Sequence, residues 1–416
     1  MEITTLGALL GLAVAIFLIV KKVQPTYSLI LGALVGGLVG GAGLTGTVST
    51  MITGAEGMMS SVLRILTSGI LAGILIQTGA AAKIAEVIVS KLGEKKALAS
   101  IAIATMVLCA VGVFIDISVI TVAPIALAIG EKAGYNKASV LLAMIGGGKA
   151  GNVISPNPNT IAVAENFNLD LSAVMAANII PALCALIVTI VLATVISKKK
   201  GSTISKEDLS DNDNEKLPSF LASIIGPVVV IALLSLRPLT GFVIDPLIAL
   251  PVGGFVTLIC TGHIKSAKDF TAFGLTKVAG VAVLLIGTGT IAGIIKASNL
   301  QVDVINLLEV LNMPTFILAP ISGILMAAAT ASTTAGSTIA SSTFSTAILD
   351  AGIPAISGAA MVHAGATVLD SLPHGSFFHA TGGVAHVSIT ERMKLIPYEA
   401  LIGLTTTVVS IILYLI

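Results

Sequence analysis

The sequence has no tryptophan and little charge: aromatic residues make up 4% of it, and Asp, Glu, Lys and Arg together only 10%. Soluble domains carry about 25% charged residues. A chain this poor in charge lacks the polar cover that a water-facing surface needs. The formal net charge is +1, which gives no electrostatic case for nucleic acid. Only three cysteines occur, Cys109, Cys184 and Cys260. They lie in apolar segments without metal or redox spacing and read as small core hydrophobes. No HExxH motif, no GxSxG context and no cofactor-binding loop is found, which argues against an intramembrane enzyme. The histidines match no zinc spacing, so neither a metal nor a bound cofactor is expected. The N-terminus, Met1-Glu2-Ile3-Thr4-Thr5, lacks the basic stretch of a signal peptide. The apolar run after it reads as a retained first helix.

What the chain does have is hydrophobic sequence, 55% of its 416 residues, with 42 glycines. Mean hydropathy is +1.05. Apolar stretches near the 20 residues of a membrane span recur from end to end. The expected fold is an all-α polytopic membrane protein embedded in a lipid bilayer.

Basic residues favour the cytoplasmic side. The first helix, 3–20, ends at Lys21-Lys22, so the N-terminus is expected outside. Further spans cover 27–43 and 61–79, followed by Lys83, Lys91, Lys95 and Lys96. The next apolar segment, 97–130, would be about 51 Å long as one helix, against a hydrocarbon core of about 30 Å. Asp116 lies in its middle, and charged residues flank both ends. A re-entrant hairpin of two half-helices fits best. Segment 138–167 then reads as one crossing broken between Gly146 and Asn159, where glycine and proline cluster. The helix 173–196 ends at Lys198-Lys199-Lys200.

A linker follows at 197–218, with five lysines and five acids. It reads as mobile and cytoplasmic. The second half repeats the plan: scaffold helices within 219–295, a hairpin at 315–349, a broken helix at 353–387 and a last helix at 395–416. A shift of 217 places Met144 on Met361, Gly148 on Gly365, Pro156 on Pro373, Asn157 on His374 and Asp116 on Thr333. The expected organisation is thus two repeats, 1–196 and 219–416. Each has scaffold helices (3–79 in the first), a hairpin, a broken helix and a last helix. About five crossings per half, an odd number, makes the repeats inverted. That gives about 10 full crossings, two re-entrant hairpins and two broken helices, with both termini extracytoplasmic.

Inverted repeats with discontinuous helices are the recurring design of secondary transporters. Unwound backbone in hydrocarbon persists only beside protein, water or a ligand. Half-helix N-termini suit a carboxylate, and hydroxyl or amide side chains suit a cation or a substrate hydroxyl.

The run from His363 to Gly383, with Asp370-Ser371-Leu372-Pro373-His374-Gly375-Ser376-Phe377-Phe378-His379 at its centre, closely resembles the gluconate permease (GntP) family, especially its hydroxybutyrate permease-like branch. Phe114-Ile115-Asp116-Ile117-Ser118 and the Pro156-Asn157-Pro158 break look like the first repeat of that family. The resemblance implies an inner-membrane symporter for small organic anions, coupled to protons. It also implies the ion-transporter superfamily fold, with a scaffold, a moving transport domain and a homodimer. Gluconate permeases often carry Pro-Pro-His-Pro where this chain has Ser155-Pro156-Asn157-Pro158. The Asn157 in place of histidine shifts the expectation away from gluconate itself.

The candidate substrate-binding residues are Ser155, Asn157, Asn159, Ser332, Thr333, Thr334 and His374. Amides and hydroxyls beside helix breaks either bind substrate or cap the helix ends. Candidate coupling residues are Asp116, Lys149, Asp370 and His363, since ionisable groups within membrane segments are costly to keep. Lys149 either attracts the substrate carboxylate, pairs with Asp116, or snorkels to water. Asp370 either orients His374 or forms a fixed pair with it. His379 and His386 read as interfacial or structural. The substrate expected is 3-hydroxybutyrate or a sugar acid. A sodium-coupled carrier, a cation/proton antiporter and a channel are the competing readings.

Overall fold

A computed structural model describes residues 3–92, 96–199, 201–205, 208, 217–236, 240, 242, 244–300, 302, 303, 306, 310, 314–373 and 375–416. The described residues form helices joined by short turns, with isolated β-bridges at Ile3–Ser298 and Asn136–Thr203. In chain order the first half holds α1 (Thr5–Val20), α2 (Pro25–Val39), α3 (Gly43–Glu56), α4 (Met59–Gln77), α5 (Ala80–Leu92), α6 (Ala97–Ala110), α7 (Ile115–Lys132), α8 (Lys137–Asn152), α9 (Pro158–Asn166), α10 (Leu171–Ala177) and α11 (Ile179–Ser197). The second half holds α12 (Phe220–Leu234), α13 (Pro246–Cys260), α14 (Ala267–Lys296), α15 (Leu318–Thr330), α16 (Thr333–Asp350), α17 (Ala355–Gly365), α18 (Ser376–Val384), α19 (Ile389–Met393) and α20 (Ile396–Leu415).

Local sequence sets these boundaries. Thr4, Asn136, Asn157, Ser219, Asp245, Ser332 and Ser388 each accept a hydrogen bond from a backbone N–H in the first turn of the helix they start. Such caps satisfy donors that the helix itself cannot. Pro25, Pro158 and Pro246 fall in first turns, where a missing N–H costs nothing. Gly112, at φ +104°, turns the chain between α6 and α7.

Four described helices are long and apolar enough to cross a membrane: Met59–Gln77, Ile179–Ser197, Ile264–Lys296 and Ile389–Leu415. The shorter apolar helices include α1, α2, α6, α12 and α13. Helix α11 begins at Ile179 and α20 at Ile396, 217 residues later, the shift read from the sequence.

The helices pack in two groups. In one, α1 packs on α2, α12 on α13, and α14 runs against α2, α3 and α4. In the other, α8 is wedged among α6, α7 and α11, while α15, α16 and α17 pack together and α20 joins α11 to α17. The contacts of α14 with α16 and of α4 with α9 join the groups.

Two expectations are corrected. The glycine run Gly146-Gly147-Gly148 does not break the first discontinuous helix. It lies inside α8, and the break is confined to 153–157. The reason is packing: a Cβ on Gly147 would stand 2.1 Å from the carbonyl oxygen of Ala102, and one on Gly151 2.2 Å from that of Met106. The missing side chains let α8 lie directly on α6, which offsets the poor helix propensity of glycine. Gly147→Ala should push these helices apart and destabilise the protein by about 1–3 kcal/mol. A lowered melting temperature in detergent would register it.

Of the segment 197–218 expected to be a mobile linker, residues 200, 206, 207 and 209–216 lie outside the described residues, and others make contacts. The Asn136 side chain donates to the carbonyls of Ile196 and Lys199 at 3.0 Å, Ser202 donates to Glu391, and Lys137 pairs with Asp208 at 2.6 Å. Finally, α3 and α5 are helices that the span count omitted.

Candidate functional site

Four helices begin at the wall of one cavity of about 810 Å³. They are α7, α9, α16 and α18, and their cap residues Phe114, Asn157, Ser332 and Gly375 all line it. Two of these starts follow hairpin turns, and two follow the breaks after α8 and α17. Helices α9 and α18 have nine residues each, about 14 Å, or half a hydrocarbon core. Each start presents the positive end of a helix dipole, equivalent to about half a charge.

The starts are not equally satisfied. At α7 the cap residue Phe114 makes no side-chain cap bond, and Asp116 stands in the first turn. At α9 the Asn157 Oδ1 accepts from the N–H groups of Asn159 at 3.0 Å and Thr160 at 3.1 Å. The Asn157 Nδ2 donates backward to Asn152 Oδ1 at 2.6 Å and to the Asn152 carbonyl at 2.9 Å. One amide thus clasps both ends of the first break. At α16 the Ser332 Oγ accepts from the Ala335 N–H. Helix α18 starts on Gly375, which has no side chain to cap with, and its first turn carries no acid. Glycine is required there because a Cβ would stand 2.5 Å from the Ala331 carbonyl oxygen at the neighbouring hairpin tip.

Behind the wall lies a buried ion pair. Lys149 Nζ donates to Asp370 Oδ1 at 2.5 Å and to the Thr367 carbonyl at 2.7 Å. Both charged side chains are 2% exposed. Thr333 donates to Asp370 Oδ2 at 2.6 Å and Ser371 donates to Oδ1 at 3.0 Å. Asp370 is therefore paired and hydrogen-bonded, which a buried carboxylate requires. The pair ties α8, the second break and the second hairpin tip into one unit. Thr334 donates to Asn159 Oδ1 at 2.5 Å, joining the same tip to the first break.

Charge at the two ends of the group boundary differs. On the cavity side, Lys22 and Gln24 of the α1–α2 turn and Lys277 of α14 line the wall opposite Asp116. Elsewhere on the boundary Arg64 of α4 holds Asp245, with Nη2 to Oδ2 at 2.6 Å, and also pairs with Glu165 of α9. These three line a second cavity of about 510 Å³.

The profile described as GntP family permease matches residues 3–416. The chain belongs to the GntP permease family. It is 53% identical over 412 residues to an uncharacterized transporter of Haemophilus influenzae, covering 99% of this chain and 98% of that one. It is 22% identical over 445 residues to the high-affinity gluconate transporter of Escherichia coli, covering 99% of this chain and 98% of that one. The crystal structure of the Alcanivorax borkumensis YdaH transporter shares the fold, with a TM-score of 0.60 at 15% identity, covering 88% of this chain and 86% of that one. This GntP-family permease is a membrane transporter and not an enzyme.

In the permease, the cavity brings together Asp116, Asn157, Asn159, Ser332, Thr333, Thr334 and Asp370 of the sequence candidates. Ser155 is buried in the first break without lining the cavity, and its Oγ has no partner among the described residues. His374 lies outside the described residues. Lys149 sits behind Asp370, neither snorkelling to water nor paired with Asp116, because Asp370 and the Thr367 carbonyl hold it inside. His363 is fully buried on α17, away from the cavity wall, with neither ring nitrogen partnered among the described residues. His379 lines the cavity, and its Nε2 lies 2.8 Å from the Pro373 carbonyl oxygen, a contact that fits the structural reading. Sequence reasoning missed Asn152, Lys22, Lys277 and Ser376 as cavity residues. Asn152 stood in the glycine-rich run already singled out; its place at the end of α8 was the missing signal.

Proposed function

We propose that this GntP-family permease is an inner-membrane symporter that carries a small hydroxycarboxylate, such as 3-hydroxybutyrate or gluconate, together with protons. The observation that carries this reading is the convergence of four helix N-termini on one cavity. Their dipole ends favour an anion without the cost of a buried full charge. Asp116 and Asp370, both on the cavity wall, are the carboxylates available for proton coupling. The relatives support transport and leave the cargo open.

The mechanism proposed is alternating access of elevator type between inverted repeats. The group built on α8, α15, α16 and α17 carries the site, and the group built on α1–α4 and α12–α14 is the scaffold. Lys22 and Lys277 mark the cavity mouth as cytoplasmic by the positive-inside rule, with both chain termini outside. Arg64, held by scaffold Asp245 and reaching Glu165 of the moving group, is then the tie that breaks when the site turns outward. A homodimer is expected from the family resemblance alone.

Uptake of labelled 3-hydroxybutyrate and gluconate into proteoliposomes tests the reading. Accumulation under an imposed proton gradient, and not under a sodium gradient, is the expected result. Accumulation under sodium alone would replace the coupling ion, and no accumulation of either acid by intact protein would sink the cargo assignment.

A further inference from the structure

We infer that the substrate is read at two points: its carboxylate by the uncapped start of α18, and a hydroxyl oxygen by the side-chain amide of Asn152. This rests on the carboxylate-transport reading and names the groups that would carry its specificity.

Asn152 is 3% exposed and lines the cavity. Its Oδ1 is fixed as an acceptor by Asn157 Nδ2 at 2.6 Å, so its Nδ2 is directed elsewhere. That Nδ2 has no partner among the described residues. A buried donor left unpaired is costly, and native proteins rarely leave one without a purpose. Nδ2 itself is buried at the cavity wall, so a substrate hydroxyl supplies its acceptor by displacing the side chains that cover it.

Two of the four helix starts bring a capping acceptor, Asn157 and Ser332, and a third carries Asp116 in its first turn. An incoming carboxylate at those ends must compete with a side chain. At α18 it does not. Ser376 and Phe377 both line the cavity, and their N–H groups have no acceptor among the described residues. Ala331 keeps position 375 a glycine, so the start cannot acquire a cap of its own. A carboxylate is strongly attracted to such an end, while a hydroxyl oxygen suits the neutral amide of Asn152. An acid with a carboxylate and a separate hydroxyl satisfies both.

The two points separate by mutation. Ser376→Pro removes one N–H yet keeps the helix, because proline is well tolerated at the first helical position. Gly375 already has the extended conformation, with φ −93° and ψ 151°, that a following proline requires. Asn152→Ala removes the free donor while Asn157 keeps the Asn152 carbonyl as a partner. Binding of 3-hydroxybutyrate, butyrate and gluconate to the full-length purified protein is measured by calorimetry, with melting temperature as the control for folding. Where gluconate alone binds, 3-deoxygluconate takes the place of butyrate.

The wild type is expected to prefer the hydroxylated acid about tenfold. Asn152→Ala should remove that preference and leave butyrate affinity unchanged. Ser376→Pro should weaken both acids by about tenfold or more and leave their ratio intact. A preference that survives Asn152→Ala overturns the assignment of Asn152, as does equal loss of both acids in that variant. Unaltered affinities in Ser376→Pro overturn the carboxylate seat. Should the wild type bind none of these acids, the carboxylate-transport reading falls, and this inference with it.

Discussion

Lys149→Met is expected to destabilise the permease by about 3–5 kcal/mol, the usual cost of leaving one member of a buried pair alone. Lys149 and Asp370 approach to 2.5 Å with both side chains 2% exposed, so water cannot replace the missing charge. Asp370→Asn alone leaves the Lys149 charge with neutral acceptors only, the Thr367 and Glu399 carbonyls among them, and should cost a similar amount. Combining the two changes should recover most of the loss, because the substituted amide is neutral and its oxygen can still accept from Thr333. Melting temperatures of the two single variants and the double variant in detergent measure this. The double variant should fold yet transport poorly, since the pair also positions the second break against α8. Losses below about 1 kcal/mol in the single variants would show that the pair is solvated.

Asn157→Ala should act on stability and binding together. The substitution deletes the cap on α9 and the clasp to Asn152, leaving the N–H groups of Asn159 and Thr160 without their acceptor. Loss of such a cap costs about 0.5–2 kcal/mol, and each buried donor left bare adds to it. Binding of the hydroxylated acid should fall by up to about tenfold, because Asn152 is no longer oriented. Asn157→Ser divides the two effects. Serine restores an acceptor for the α9 start but cannot reach back to Asn152, so melting temperature should recover and binding should not. Recovery of both in Asn157→Ser would mean that Asn157 acts only as a cap.

The parts of the architecture set by length and hydropathy were legible in the sequence. A 34-residue apolar segment around Asp116 is too long for one crossing and too short for two, and it forms α6 and α7 with Asp116 in the first turn of the second helix. Pro156, Asn157 and Pro158 marked the first break correctly at its C-terminal end. The N-terminal end was misread because glycine propensity was weighed without the α6 backbone that Gly147 and Gly151 accommodate. Helix α3, Gly43–Glu56, is rich in threonine and glycine and gives no apolar signal of a span.

Partners distant in sequence were not legible. Lys149 and Asp370 are separated by 221 positions, and nothing local distinguishes Asp370 from Asp116 as the partner of Lys149. The free amide of Asn152 becomes visible only when Asn157 is seen to occupy its oxygen. The candidate hydroxyls at Thr333 and Thr334 were found as residue types, yet both hydroxyls are already donated, to Asp370 and Asn159.

The reactivity of a single cysteine inside the cavity distinguishes a one-sided carboxylate site from a pore. Ala380 lines the wall without belonging to either proposed contact point. Ala380→Cys is made in a background with Cys109, Cys184 and Cys260 replaced, and a membrane-impermeant maleimide is applied to each face of the membrane in turn. The account predicts fast labelling from the face bearing Lys21 and Lys22, little from the other face, and slowing by the transported acid. Equal labelling from both faces would indicate a continuous pore, and labelling indifferent to every acid tested would contradict a carboxylate site in this cavity.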